Sequence, residues 1–120
     1  MISIIDNEPY TSEQLAHIND TIRMNLCKFR CNAHVEGVYG QLMFTRNVID
    51  ILGDKITVLL QAVGSFNEFT EDNNPHHEND FGKIDLFGNT WFWKFDYYDK
   101  DLQYFGHHAH VLTVMLAEDY

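Results

Sequence analysis

Within twelve positions, the segment "EDNNPHHENDFG" (residues 71 to 82) holds Glu71, Asp72, His76, His77, Glu78 and Asp80. Imidazole and carboxylate groups this dense suit a divalent ion such as zinc or manganese, which could activate water for hydrolysis. His76, Glu78 and Asp80 are the candidate metal ligands, because alternate side chains of an extended chain project to one side. Asp99, beyond the next strands, is a candidate fourth member. The same composition also builds turns. Asp72, Asn73 and Asn74 favour Asx-type turns ahead of Pro75, leaving Asp80 to bind a tyrosine hydroxyl or a backbone amide.

Two further groups have metal-ligand character. "GHHAH" offers His107, His108 and His110, and on a strand starting near Ala109 the last two share a face. Cys27 and Cys31 in "CKFRC", with His34, supply three of the four ligands of a closed zinc site. On a helix these cysteines share a face in poor geometry for a disulfide, and buried reduced thiols are the simpler expectation. No nucleophile stands out, since Ser3, Ser12 and Ser65 have no acid–base partner by position. No glycine-rich phosphate loop is present.

Charge narrows the function classes. Eight Lys+Arg against 18 Asp+Glu give a net charge of −10, which disfavours direct contact with nucleic-acid phosphates. It suits a protein partner with a basic surface. Nine of the acids lie between Glu68 and Asp101, against three lysines. Glu71, Asp72, Glu78, Asp80, Asp96, Asp99 and Asp101, with Tyr98 at the rim, are the candidate partner-binding residues. The aromatic run "WFWKFDYY" would suit base stacking, but a basic groove is missing and alternation assigns Trp91, Trp93 and Phe95 to the core.

These groups must be positioned by a core, and 120 residues with 45% hydrophobic content suffice for one domain over 1–120. "MISII" is too short for a signal peptide and no run is long enough to span a membrane, so a cytoplasmic protein without a membrane partner is expected. "TSEQLAHINDTIRMNLCKF" is predicted helical, with Leu15, Ile18, Ile22, Leu26 and Phe29 forming one stripe and Thr11 with Gln14 a capping box. "VYGQLMFTR" alternates as a strand, and "GQLMF" is taken as an edge that could pair across a homodimer axis. "DKITVLLQAVGSFNEF" is a second helix, with Asp54 as its cap.

Gly88-Asn89 predicts a two-residue hairpin loop. That register pairs Leu86 with Trp91, Ile84 with Trp93 and Asp80 with Tyr97. Leu86, Ile84, Trp91, Trp93 and Phe95 then share the core face, and Lys83, Asp85, Lys94 and Asp96 the outer one. "HVLTVMLA" is apolar on both sides and predicts a central strand. The expected fold is α+β, two main helices on a mostly antiparallel sheet of about four strands.

Several motifs together resemble a known family. "FTEDNNPHHENDFG", "FWKFDYYD" and "VLTVMLAEDY", with "HINDTIR" and "MFTRNV" before them, resemble the family of domain of unknown function 3768. The resemblance implies a small bacterial or mobile-element protein without an established activity or cofactor. The family pattern runs Asn-Asp-Pro-His-Gly-Glu-His-Asp-Phe-Gly. His76, Glu78, Asp80, Phe81 and Gly82 match it, while His77 replaces a glycine, Asn79 replaces a histidine, and Asn47 falls where glycine is common and a left-handed turn is expected.

Two functions follow as expectations. One is an acidic protein-binding factor, of the kind a phage or plasmid would use to inhibit a host defence or nucleic-acid-handling enzyme, with no catalytic residues of its own. The other is a zinc- or manganese-dependent hydrolase or metal-binding domain centred on His76, Glu78 and Asp80.

Overall fold

The computed structural model describes residues 10–28 and 32–120. Helix α1 spans Ser12–Leu26 and begins with the expected capping box. Thr11 Oγ1 accepts the Gln14 amide at 3.1 Å, and Gln14 Oε1 accepts the Thr11 amide at 2.7 Å. Leu15, Ile18, Ile22 and Leu26 are buried along one face. Phe29, the last residue of the expected stripe, and Cys31 lie outside the described residues.

Strands β1 (Asn32–Val35) and β2 (Val38–Phe44) form a hairpin, followed by helices α2 (Arg46–Leu52) and α3 (Ile56–Gly64). Strands β3 (Phe81–Leu86), β4 (Asn89–Tyr98) and β5 (Ala109–Leu116) complete an α+β fold with one five-stranded sheet of order β1-β2-β5-β4-β3. β2 runs parallel to β5, and the other neighbours are antiparallel. The sheet is therefore mixed and has five strands rather than about four. β5 is central, as its two-sided apolar pattern implies. Within "GQLMF", Gly40 and Gln41 lie between β1 and β5, whereas among the described residues Leu42–Phe44 pair with β5 alone.

Two local expectations need correction. Asp54 does not cap a helix; it sits in a 3-10 turn over Gly53–Lys55, and α3 starts after it without a side-chain cap. Asn47 lies inside α2, where its Nδ2 donates to Asp119 Oδ1 at 2.8 Å while Thr45 Oγ1 donates to Asp119 Oδ2 at 2.6 Å. The "MFTRN" and "AEDY" motifs are thus tied together by one carboxylate, whose pKa the Thr45 hydroxyl in particular holds below the ordinary value.

The β3–β4 hairpin turns one step earlier than expected. Phe87 and Gly88 both have positive φ, 56° and 76°, the mirror-image turn whose twist matches the flanking strands. Ile84 pairs with Trp91 and Gly82 with Trp93, so the register differs by two residues. A two-residue shift preserves the faces, because side chains alternate with period two. Trp91, Trp93 and Phe95 are indeed buried with Leu112, Val114 and the helix stripe. Lys83 therefore opposes Phe92 instead of Lys94, and Lys94 forms an ion pair with Asp96.

Two glycines admit close packing. A side chain at Gly82 would collide with the Trp93 indole, and one at Gly64 would lie 2.9 Å from Cys27 Cβ. Burial pushes the Cys27 thiol up to about 12, with Arg23 opposing the shift. Among the described residues no helix is long and apolar enough to cross a membrane.

Candidate functional site

Asn19 and Arg23 sit four apart on the apolar stripe of α1, yet they are 0% and 2% exposed. Buried polar groups are mostly hydrogen-bonded, and these two reach the 70–80 segment, Asn19 directly at Glu78 and Arg23 through Asp20 to Asn79. Arg23 Nη1 donates to Val63 O at 2.6 Å and Nη2 to Asp20 Oδ1 at 3.0 Å. Its guanidinium lies 4.6 Å from the Trp93 ring centroid. Asp20 also accepts both contacts of Asn79 Nδ2, at 3.2 and 3.1 Å.

The 70–80 segment is held mainly by its asparagines. Asn73 Oδ1 accepts the Thr70 amide at 2.8 Å, and Asn74 Oδ1 accepts the Asn79 amide at 2.9 Å while its Nδ2 donates to Asn79 Oδ1 at 2.6 Å. His77 and Asn79 adopt φ of 60° and 55°. The left-handed backbone at position 77 is a geometry that glycine adopts without strain. Asparagine tolerates the same geometry at 79.

Asn19 continues the network toward the sheet. Its Nδ2 donates to Tyr97 Oη at 2.9 Å and to Glu78 O at 3.0 Å, and Tyr97 Oη donates to Glu78 Oε1 at 2.8 Å. Asn19 Oδ1 lies 2.7 Å from His110 Nδ1, and His110 Nε2 lies 2.9 Å from His107 Nδ1. Because Asn19 Oδ1 is an acceptor, His110 Nδ1 must carry the proton; neutral His110 then accepts from His107 Nδ1. This tautomer follows from the hydrogen-bond pattern. Every donor in the chain points from His107 toward the Glu78 carboxylate. Burial, aided by His107, lowers the His110 pKa to about 3. Burial and the bond to Glu78 raise the Tyr97 pKa.

The sequence candidates are divided by this arrangement. Asp80 lies beside Phe95, whose amide donates to Asp80 O at 2.9 Å, and not opposite Tyr97 as the expected register required. Its carboxyl pKa is raised by burial first and Glu78 second, with Asp96 adding and His76 opposing. Glu78 is directed inward to Tyr97, and His76 is exposed. Among the described residues no three His, Cys, Asp or Glu side chains converge as a metal-holding group. His108 is exposed while His110 is buried, so His110 is paired with His107 instead. Asn19, Asp20 and Arg23 are network members that the sequence reading does not single out, whereas His107 and His110, read there as possible metal ligands, bond to each other. The signal for Asn19 and Arg23 was their place on the widened helix face 15-18-19-22-23-26.

Several other candidates lie on or near the sheet face opposite the helices. Asp96, Tyr98, Leu102, Val111, Met43 and Gln41 line a concavity of about 420 Å³ there. Asp99 Oδ1 accepts the amides of Asp101, Gln103 and Tyr104 at 3.1, 3.1 and 3.4 Å, which shapes the 99–106 loop and lowers the Asp99 pKa, the Gln103 bond foremost. That loop exposes Leu102 (51%), Tyr104 (71%) and Phe105 (66%). Glu71, Asp72 and Asp101 are exposed carboxylates.

Fold and site define a small α+β protein with a buried polar network on one sheet face and an open apolar hollow on the other. The family model described as protein of unknown function (DUF3768) matches residues 44–119, and the chain belongs to that family. No curated protein and no solved structure matches it.

Proposed function

We propose that the protein is an acidic protein-binding factor that engages a basic partner through the sheet face opposite its helices. The concavity flanked by exposed Met43 and Leu102, with Asp96 in its wall, carries this reading. Exposed apolar side chains grouped in a hollow are typical anchor positions, and a charged surround steers the partner. On the same loop Tyr104 is exposed and Asp101 adds charge, while Phe105 leans the other way, against Tyr97 and His107 of the polar network. The carboxylates of the polar network are engaged internally, whereas the hollow offers side chains outward. A partner that handles nucleic acid presents the matching basic surface, and occupying it would inhibit that partner.

The test is affinity capture from host lysate with the natural chain, Leu102→Asp and Asp96→Lys. The reading expects a basic protein retained at low salt, released at high salt and lost with both variants. Retention of the same protein by both variants would overturn it.

A further inference from the structure

Among the described residues β3 is an edge strand, paired only with β4. The bond from the Phe95 amide to Asp80 O fixes which groups face the sheet: even-numbered β3 residues bond to β4. By alternation, Phe81, Lys83 and Asp85 direct their N–H and C=O groups out of the edge. Among the described residues, none of these three amides donates to another backbone group beyond the sheet. A hollow of about 360 Å³ runs beside this edge, between it and the end of α3. Its lining includes Ala62, Ser65, Phe66, Glu68, Lys83 and Asp85.

We propose that this edge accepts an extended cationic segment of a partner protein as a sixth strand. An unpaired row of backbone groups beside a helix-walled groove is the geometry of strand addition, in which backbone bonds supply affinity and the groove selects side chains. Charge selects the occupant. Glu68 and Asp85 outnumber Lys83 along the hollow, and the whole chain carries −10, so lysine or arginine on the incoming strand is favoured over acidic residues. The site is separate from the hollow at Leu102 and does not depend on it.

The probe is a fluorescein-labelled octapeptide of alternating lysine and valine, read by anisotropy, with amide exchange locating the contact. Binding should protect the Phe81, Lys83 and Asp85 amides. Lys83→Pro removes an outward amide, a substitution that edge strands tolerate, and should weaken binding about tenfold while Lys83→Gln does not. A peptide N-methylated at alternate residues should bind comparably weakly. Leu102→Asp should leave binding unchanged, which separates this site from the sheet-face reading. Equal binding of the plain and N-methylated peptides would mean charge attraction alone and overturn the proposal. So would protection of the β3 amides that appears without peptide and grows with protein concentration, since a second copy would then be the occupant. If Lys83→Pro disturbs the fold, Glu68→Lys replaces it and should also weaken the cationic peptide.

Discussion

Tyr97 and His110 stack with ring centroids 4.2 Å apart and planes inclined by 29°, while Asn19 bonds to the polar atoms of both. One helix residue therefore fixes the orientation of two neighbouring strand side chains. Removing the Tyr97 hydroxyl leaves Glu78 Oε1 without its donor but keeps the ring stack. Tyr97→Phe should cost about 1–2 kcal/mol, measured by urea unfolding at neutral pH.

Acid should weaken the fold through His110. The unfolded chain binds this proton near 6.5, whereas the folded chain binds it only near 3. Between those values the unfolded state holds more protons, so stability falls as pH falls, by up to about 1.4 kcal/mol per pH unit. Unfolding midpoints collected from pH 3 to 7 should show that slope, and His110→Gln should flatten it.

Asp80 contributes with the opposite sign. Its folded pKa is raised above 3.8, so its stabilising contribution is full below that value and is lost as pH rises through the raised one. Asp80→Asn should be more stable than the natural chain at pH 7 and converge with it in acid. A variant less stable at pH 7 would show that the charge is wanted where it lies.

Gly82→Ala places a methyl group against the Trp93 indole, which is 0% exposed and cannot move outward freely. Overpacking of this kind costs roughly 1–3 kcal/mol. Thermal unfolding followed by tryptophan fluorescence would register both the loss and the displaced indole.

His77→Gly should stabilise the protein, because a non-glycine residue at φ 60° carries roughly 1–2 kcal/mol of backbone strain, partly offset by the freedom glycine gives the unfolded chain. Denaturant midpoints of the two chains decide it.

What the sequence made legible was local. The α1 stripe and capping box depend on residues three and four apart, and both are present. The faces of the β3–β4 hairpin survived a two-residue register difference because parity alone assigns them. β1 is only four residues long, too short for a periodic signal. The parallel pairing of β2 with β5 joins Tyr39 to Ala109, a contact with no local signature. The network around Asn19 was hidden for the same reason: its members come from α1, the 70–80 segment, β4 and β5. The concavity depends on Leu102, whose placement follows from a loop folded around Asp99.

The central position of β5 has a consequence for synthesis. β1–β2 and β3–β4 are each contiguous hairpins that can form as the chain emerges. Neither touches the other as a strand neighbour until Ala109–Leu116 is inserted between them. In a nascent chain that has not yet made β5, any hairpin that forms keeps an open inner edge, a template for wrong pairing. The sheet cannot be completed before residues 109–116 are made, so a chain stalled before residue 109 should be more protease-sensitive than the full chain, as limited proteolysis of the two would show.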